Sequence, residues 1–311
     1  MPTWFQRAGH HPLSISLRGD FRKVATHRIP TIVWRHGEQL KELEILHEED
    51  DSEFSGEETD EDGLPDVLDV FGDAAPQQLP MLETLMVRNE VEDRGFLAPQ
   101  IIQLLFLAPN LMNYMFSGSF LFASSISSEM PIFPTLRTLT FGSRDKPQLD
   151  AGILSRGLFP ALAELSVAMD ISGRNIFDFV KQSTPALQSL LLGMLAYDTP
   201  DSDELHECLH LISSLERLEM WYPRSHHLDH FFVSLANSPS LLPNLCTLII
   251  HPYVVSNSRE PLLRVLSTRR IKLHIDGKYV KKPPQDALAA MAELVTCGAE
   301  IYIRSDTFDY I

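Results

Sequence analysis

The run Thr184-Pro-Ala-Leu-Gln-Ser-Leu-Leu-Leu-Gly193 sets leucines at 187, 190 and 192 behind a proline, a spacing of L-x-x-L-x-L. The phrase returns as Leu40/Leu43/Ile45, Leu82/Leu85/Val87, Leu111/Tyr114/Phe116, Leu136/Leu139/Phe141, Leu162/Leu165/Val167, Leu215/Leu218/Met220 and Leu245/Leu248/Ile250. Steps between first positions are 42, 29, 25, 26, 25, 28 and 30 residues.

Successive side chains on a strand alternate faces, so the last two apolar positions of each copy point inward and the residue between them points outward. One copy cannot bury its apolar face alone, but stacked neighbours can. The period, the first step apart, is that of leucine-rich repeats. The fold expected is an irregular α/β leucine-rich-repeat solenoid, with a parallel sheet on its concave face and helices on its convex face.

With 311 residues, 44% of them hydrophobic, the chain can bury about three quarters of its unfolded surface. Three cysteines, Cys208, Cys246 and Cys297, lack metal or redox spacing and suit a reducing compartment. No signal-peptide run opens the chain and no 18 consecutive residues are apolar. The reading is a cytoplasmic or nuclear monomer that engages no membrane.

Residues 12–17 alternate as an opening strand, and a helix over 29–36 completes an N-terminal cap at 1–39; the solenoid takes 40–311, with a closing segment at 254–311. Residues 48–62 hold ten carboxylates in fifteen positions. Such a block repels itself and carries too little apolar surface to offset its ordering entropy, so it reads as a disordered loop, and it accounts for the step of 42. Residues 58–69 match a calcium-loop template only in part, with Pro65 at its eighth position. Leu64 to Phe71 imitates the opening of an F-box without room for three helices. A helix is expected over 97–107 and a serine-rich connector over 117–128. Prolines 134, 160, 185 and 243 should stop the helix before each strand. Apolar stripes at Leu205/Leu209/Ile212 and Leu228/Phe231/Phe232/Leu235 predict two helices. The tail predicts helices near 262–266 and 287–295 and strands at 271–275 and 301–303.

No Walker loop, dinucleotide glycine pattern, G-x-S-x-G, kinase set or zinc-finger spacing is present, so no enzyme is expected and no cofactor. His206/His210 and His226/His230 each share a helix face but lack a third ligand, and no metal site is assigned. Cys246, between inward Leu245 and Leu248, reads as packing. Arg269, Arg270, Lys278, Lys281 and Lys282 make a modest basic end, short of the stripe nucleic acid requires.

Surface recognition remains. Between the inward positions lie Glu44, Met86, Met115, Thr140, Ser166, Leu191, Glu219 and Ile249. Just past them lie Leu46, Arg88, Ser117, Gly142, Ala168, Gly193, Trp221 and His251. The candidate protein-binding face is Met86, Arg88, Met115, Leu191, Trp221, Tyr222, Ile249, His251 and Tyr253, because Trp, Tyr and Arg are the usual interface anchors.

Phe133-Pro-Thr-Leu-Arg-Thr-Leu, Thr184-Pro-Ala-Leu-Gln-Ser-Leu-Leu-Leu and Leu242-Pro-Asn-Leu-Cys-Thr-Leu-Ile-Ile, with Arg7-Ala-Gly-His-His-Pro-Leu-Ser-Ile-Ser-Leu ahead of them, resemble the leucine-rich region of the F-box-like family of mushroom-forming fungi. The resemblance implies selection of a ubiquitin-ligase substrate, with a Skp-type adaptor as partner only if an F-box exists upstream. This sequence begins at the cap, which reads as a fragment, a shortened product or a free repeat module. The repeat asparagine is replaced by Asp170, Leu195, Pro223 and Tyr253, so no Asn ladder is expected. The alternative is a histone-binding-like scaffold gripping basic proteins through 48–62, an attraction that fades with salt. Ser55 and Thr59 fit acidophilic-kinase sites.

Overall fold

The computed structural model describes residues 5, 7–19, 21, 28–48, 66–71, 77–89, 91, 94–121, 131–142, 154, 157–170, 173–194, 202–252, 259–277, 284–305 and 309–310. The chain divides into two compact units, Met1–Asp150 and Ala151–Ile311. Both are α/β and both are built on parallel strands.

The first unit contains strands β1 (Leu13–Gly19), β2 (Leu40–His47), β3 (Asp66–Leu68), β4 (Thr84–Asn89), β5 (Arg94–Leu97), β6 (Asn113–Ser117), β7 (Ser119–Leu121) and β8 (Thr138–Phe141). Its helices are α1 (Arg28–Arg35) and α2 (Ala98–Leu107). The larger sheet runs β1-β2-β4-β6-β8 and a smaller one β3-β5-β7. The second unit has β9 (Glu164–Asp170), β10 (Ser189–Gly193), β11 (Arg217–Trp221), β12 (Thr247–His251), β13 (Lys272–Asp276) and β14 (Ile301–Arg304), in that order in the sheet. Its helices are α3 (Gly173–Ser183), α4 (Ser202–Leu211), α5 (Ser225–Asn237), α6 (Arg259–Thr268) and α7 (Gln285–Thr296).

All eight leucine phrases run into strands, and the pairing keeps their inward positions level: Leu190 faces Leu165 and Leu218, and Leu218 faces Leu248. These leucines are buried to 1% exposure or less. Each such side chain contributes about 1.5–3 kcal/mol on leaving water. On α5, Leu228, Phe231, Phe232 and Leu235 form one buried stripe at helical spacing. The helix ends before Pro239, and α7, closing at Thr296, is followed by Gly298, whose φ of 95° is the left-handed turn a glycine past a helix C-terminus allows.

In four copies the residue ahead of the first leucine staples neighbouring copies together. Asn110 Nδ2 donates to the Pro80 carbonyl (2.8 Å), Thr135 Oγ1 to Pro109 (2.9 Å), Ser214 Oγ to Leu187 (2.8 Å) and Asn244 Nδ2 to Ser213 (2.9 Å). Arg269 does similar work, its guanidinium donating to the carbonyls of Ser238 (2.6 Å) and Leu241 (2.7 Å). Burial lowers its pKa. It buttresses the backbone there, and Lys278, Lys281 and Lys282 of the expected basic end lie outside the described residues.

Several expectations are corrected. Part of the serine-rich connector forms β7, and the small sheet to which it belongs had no counterpart in the sequence reading. Leu46, Ser117, Ala168 and Gly193 are buried, not outward. Cys246 is exposed, whereas Cys208 is buried. Pro134 and Pro160 enter strand-leading turns, and the segments expected to hold a helix before them fall mostly outside the described residues. A polar ladder does exist in the first unit: buried His47 lies level with buried Asn89. His47 Nδ1 accepts from the Phe21 N–H (3.2 Å), and Asn89 Nδ2 donates to the Arg94 carbonyl (2.8 Å). Gly118 abuts that asparagine, since a Cβ there would come within 2.9 Å of the Asn89 Cβ.

The acidic block from residue 49, with Ser55 and Thr59, lies outside the described residues. So does most of the calcium-loop template. Asp69, its last position, accepts from Gln100 Nε2 (2.7 Å) and the Phe71 N–H (2.9 Å). Among the described residues no helix is long and apolar enough to cross a membrane.

Candidate functional site

On the second unit's sheet the outward row reads Ser166, Leu191, Glu219, Ile249, His274 and Tyr302, level with one another across β9 to β14. Leu191 and Ile249 are half-buried, and Tyr302 is 49% exposed. His274 stacks on Tyr302, ring centroids 4.6 Å apart. Trp221 and His251, level at the ends of β11 and β12, stand edge to face at 6.2 Å.

Glu219 organises this row. Its Oε1 accepts from Trp221 Nε1 (2.8 Å) and lies 3.2 Å from His251 Nε2, while Oε2 accepts from Arg217 (2.8 Å). Partial burial pushes the carboxyl pKa up, but hydrogen bonds from His251, Arg217 and Trp221, with the histidine's charge, hold it down at about 2. His251 Nδ1 sits 3.0 Å from the Asp276 carbonyl. Both imidazole nitrogens are thereby engaged within the protein. Tyr222 follows at a φ of 57°, and its N–H donates to the His251 carbonyl (2.7 Å). A left-handed tyrosine costs of order 1 kcal/mol, held here by that bond.

On the first unit the matching row is Ser16, Glu44, Met86, Met115 and Thr140. Glu44 accepts from Ser16 Oγ (2.6 Å) and pairs with Arg18 and Arg88, each at 3.6 Å. Its pKa is lowered, chiefly by the Ser16 hydrogen bond. Met115 is 37% exposed beside Met86.

The predicted residues therefore divide between the units. Met86, Arg88 and Met115 lie on the first, and Leu191, Trp221, Tyr222, Ile249 and His251 on the second; Tyr253 lies outside the described residues. Sequence reasoning missed His274 and Tyr302. The signal was available, since each stands between two inward apolar residues (Leu273/Ile275 and Ile301/Ile303).

The two histidine pairs meet across α4 and α5, His206 lying 4.8 Å from His210 and 5.7 Å from His230 by ring centroid. Among the described residues no group of three or more His, Cys, Asp or Glu side chains is placed to hold a metal ion. Burial drives the Cys208 thiol up to about 12, so it is inert at neutral pH.

The chain matches no family model and no curated protein.

Proposed function

We propose that the chain is a non-catalytic protein-binding module: a leucine-rich-repeat solenoid similar to the substrate-recognition region of an F-box ubiquitin-ligase receptor. It grips a partner protein on the outward row of its sheet. The observation that carries this reading is Trp221, half-buried and fixed at its indole N–H by Glu219, with Leu191, Ile249 and Tyr302 in reach of the same face. An aromatic anchor held in place before binding loses less side-chain entropy when a partner arrives. Polar neighbours already paired with one another add selectivity without leaving new unpaired charge.

The test is a pull-down with wild-type and Trp221→Ala/Tyr222→Ala chains, each checked for an unchanged thermal melting profile. Loss of specifically bound partners in the double variant is expected. Recovery of the same partners at the same strength would overturn the reading.

A further inference from the structure

We propose that His251 is a positioning residue whose ring proton sets where Trp221 sits, so that the docking face responds to pH; this rests on the reading of that face as a binding surface. The Asp276 carbonyl can only accept, so the 3.0 Å contact with His251 Nδ1 requires a proton there. The Glu219 carboxylate can only accept as well, so the 3.2 Å contact at Nε2 requires a second proton. The imidazolium alone makes both bonds. Either neutral tautomer sets a nitrogen lone pair against an oxygen.

When Nε2 gives its proton to solvent, it faces Glu219 Oε1 lone pair to lone pair. That same oxygen carries the Trp221 indole N–H at 2.8 Å. The carboxylate stays ionised and clamped from the far side by Arg217, so relief comes through the His251 contact and the indole resting beside it. The other charged and titratable groups on the flanking strands are Lys272, His274 and Asp276 on β13, with Arg304 level with Asp276 on β14. Lys272 pairs with Glu300 (2.8 Å), His274 stacks on Tyr302 and Arg304 pairs with Asp309 (3.4 Å). None of them is a partner of Glu219 Oε1. Partner binding through Trp221 is therefore strongest with His251 charged and weakens as it deprotonates.

The experiment follows the Trp221 indole N–H by NMR in the full chain labelled with 15N-tryptophan, the signal assigned by Trp221→Phe. His251 ring nitrogens are followed in parallel between about pH 5 and 8. Expected is a sigmoidal shift of the Trp221 signal that shares its midpoint with His251, is abolished in His251→Gln and Glu219→Gln, and is intact in His274→Gln. A Trp221 signal that stays flat while His251 titrates, a measurement needing no variant, would overturn the proposal, as would a sigmoid that survives His251→Gln. No partner is involved, so a positive titration combined with an unchanged pull-down by the Trp221/Tyr222 variant would sink the docking reading and leave the positioning role standing.

Discussion

Glu44 and Glu219 occupy the same register position in strands of different units, each between two inward apolar residues and each with a side chain 13–15% exposed. Both carboxyls are held below their ordinary pKa, but by different company. Glu44 is gripped by a serine hydroxyl and two arginines whose side chains are 59% and 42% exposed. Glu219 is gripped by an indole, an imidazole and one arginine. The first arrangement neutralises a charge with half-exposed cations, one of which, Arg18, also donates to Ser16 Oγ (3.1 Å). The second uses the charge to fix an aromatic ring, which is why the proposed binding face is the second unit's row.

The largest expected effect tests whether the two carboxylates stand on equally firm strands. Leu43→Ala and Leu218→Ala each remove a side chain buried to 1% or less, and each should lower unfolding free energy by about 2–5 kcal/mol in denaturant titration. A much smaller loss at one of them would mean that its strand is looser and that the contrast is one of backbone and not of partners.

Next comes Glu219→Gln, expected to cost about 1–3 kcal/mol, against about half that for Glu44→Gln. The pH dependence carries the same contrast. The Glu219 carboxyl, held at about 2 against an ordinary 4.5, contributes stability that is present above pH 4.5 and is lost as pH falls toward 2. That contribution is at most about 3 kcal/mol. Glu219→Gln should flatten this part of an acid-unfolding curve more than Glu44→Gln does; equal flattening would erase the distinction.

Smaller still, Arg18→Ala and Arg88→Ala should each cost about 0.2–1 kcal/mol at low salt and nearly nothing at high salt, as loose, half-exposed pairs do. A salt-independent loss would show that these arginines also act as fixed supports. The smallest effect is in the core of the first unit, where the Tyr114 hydroxyl is buried without a hydrogen-bond partner and burial alone raises its pKa. Tyr114→Phe should leave stability unchanged or raise it by up to about 1 kcal/mol, read from the melting temperature.

Strands and helices were legible wherever the period repeated. The opening strand, α2 and the tail elements β13, α7 and β14 fall within two residues of the sequence reading. The reading of faces failed where strands end. On β9 the pairing jumps from Val167 to Asp170 while β10 advances only from Leu192 to Gly193, so alternation counted from Leu165 and Val167 no longer holds at Ala168. The His47–Asn89 ladder was hidden because its two members are different residue types sharing one register position. The small sheet was illegible because strands of three or four residues give too few alternations to read. At the site, Trp221 was readable as an anchor by type. Its clamp was not, because Glu219 and His251 are 32 residues apart and meet only through strand pairing.

The central claim is that the outward row of the second unit, and not its helical side, meets the partner. The most direct measurement places a photocrosslinking residue at 249, at 302 or at exposed position 233 on α5, one at a time in the full chain, and compares adducts in extract of the native source. The account predicts discrete adducts at 249 and 302 that vanish with Trp221→Ala/Tyr222→Ala, and none at 233. Adducts at 233 alone, or adducts at the row that persist in the double variant, would contradict it.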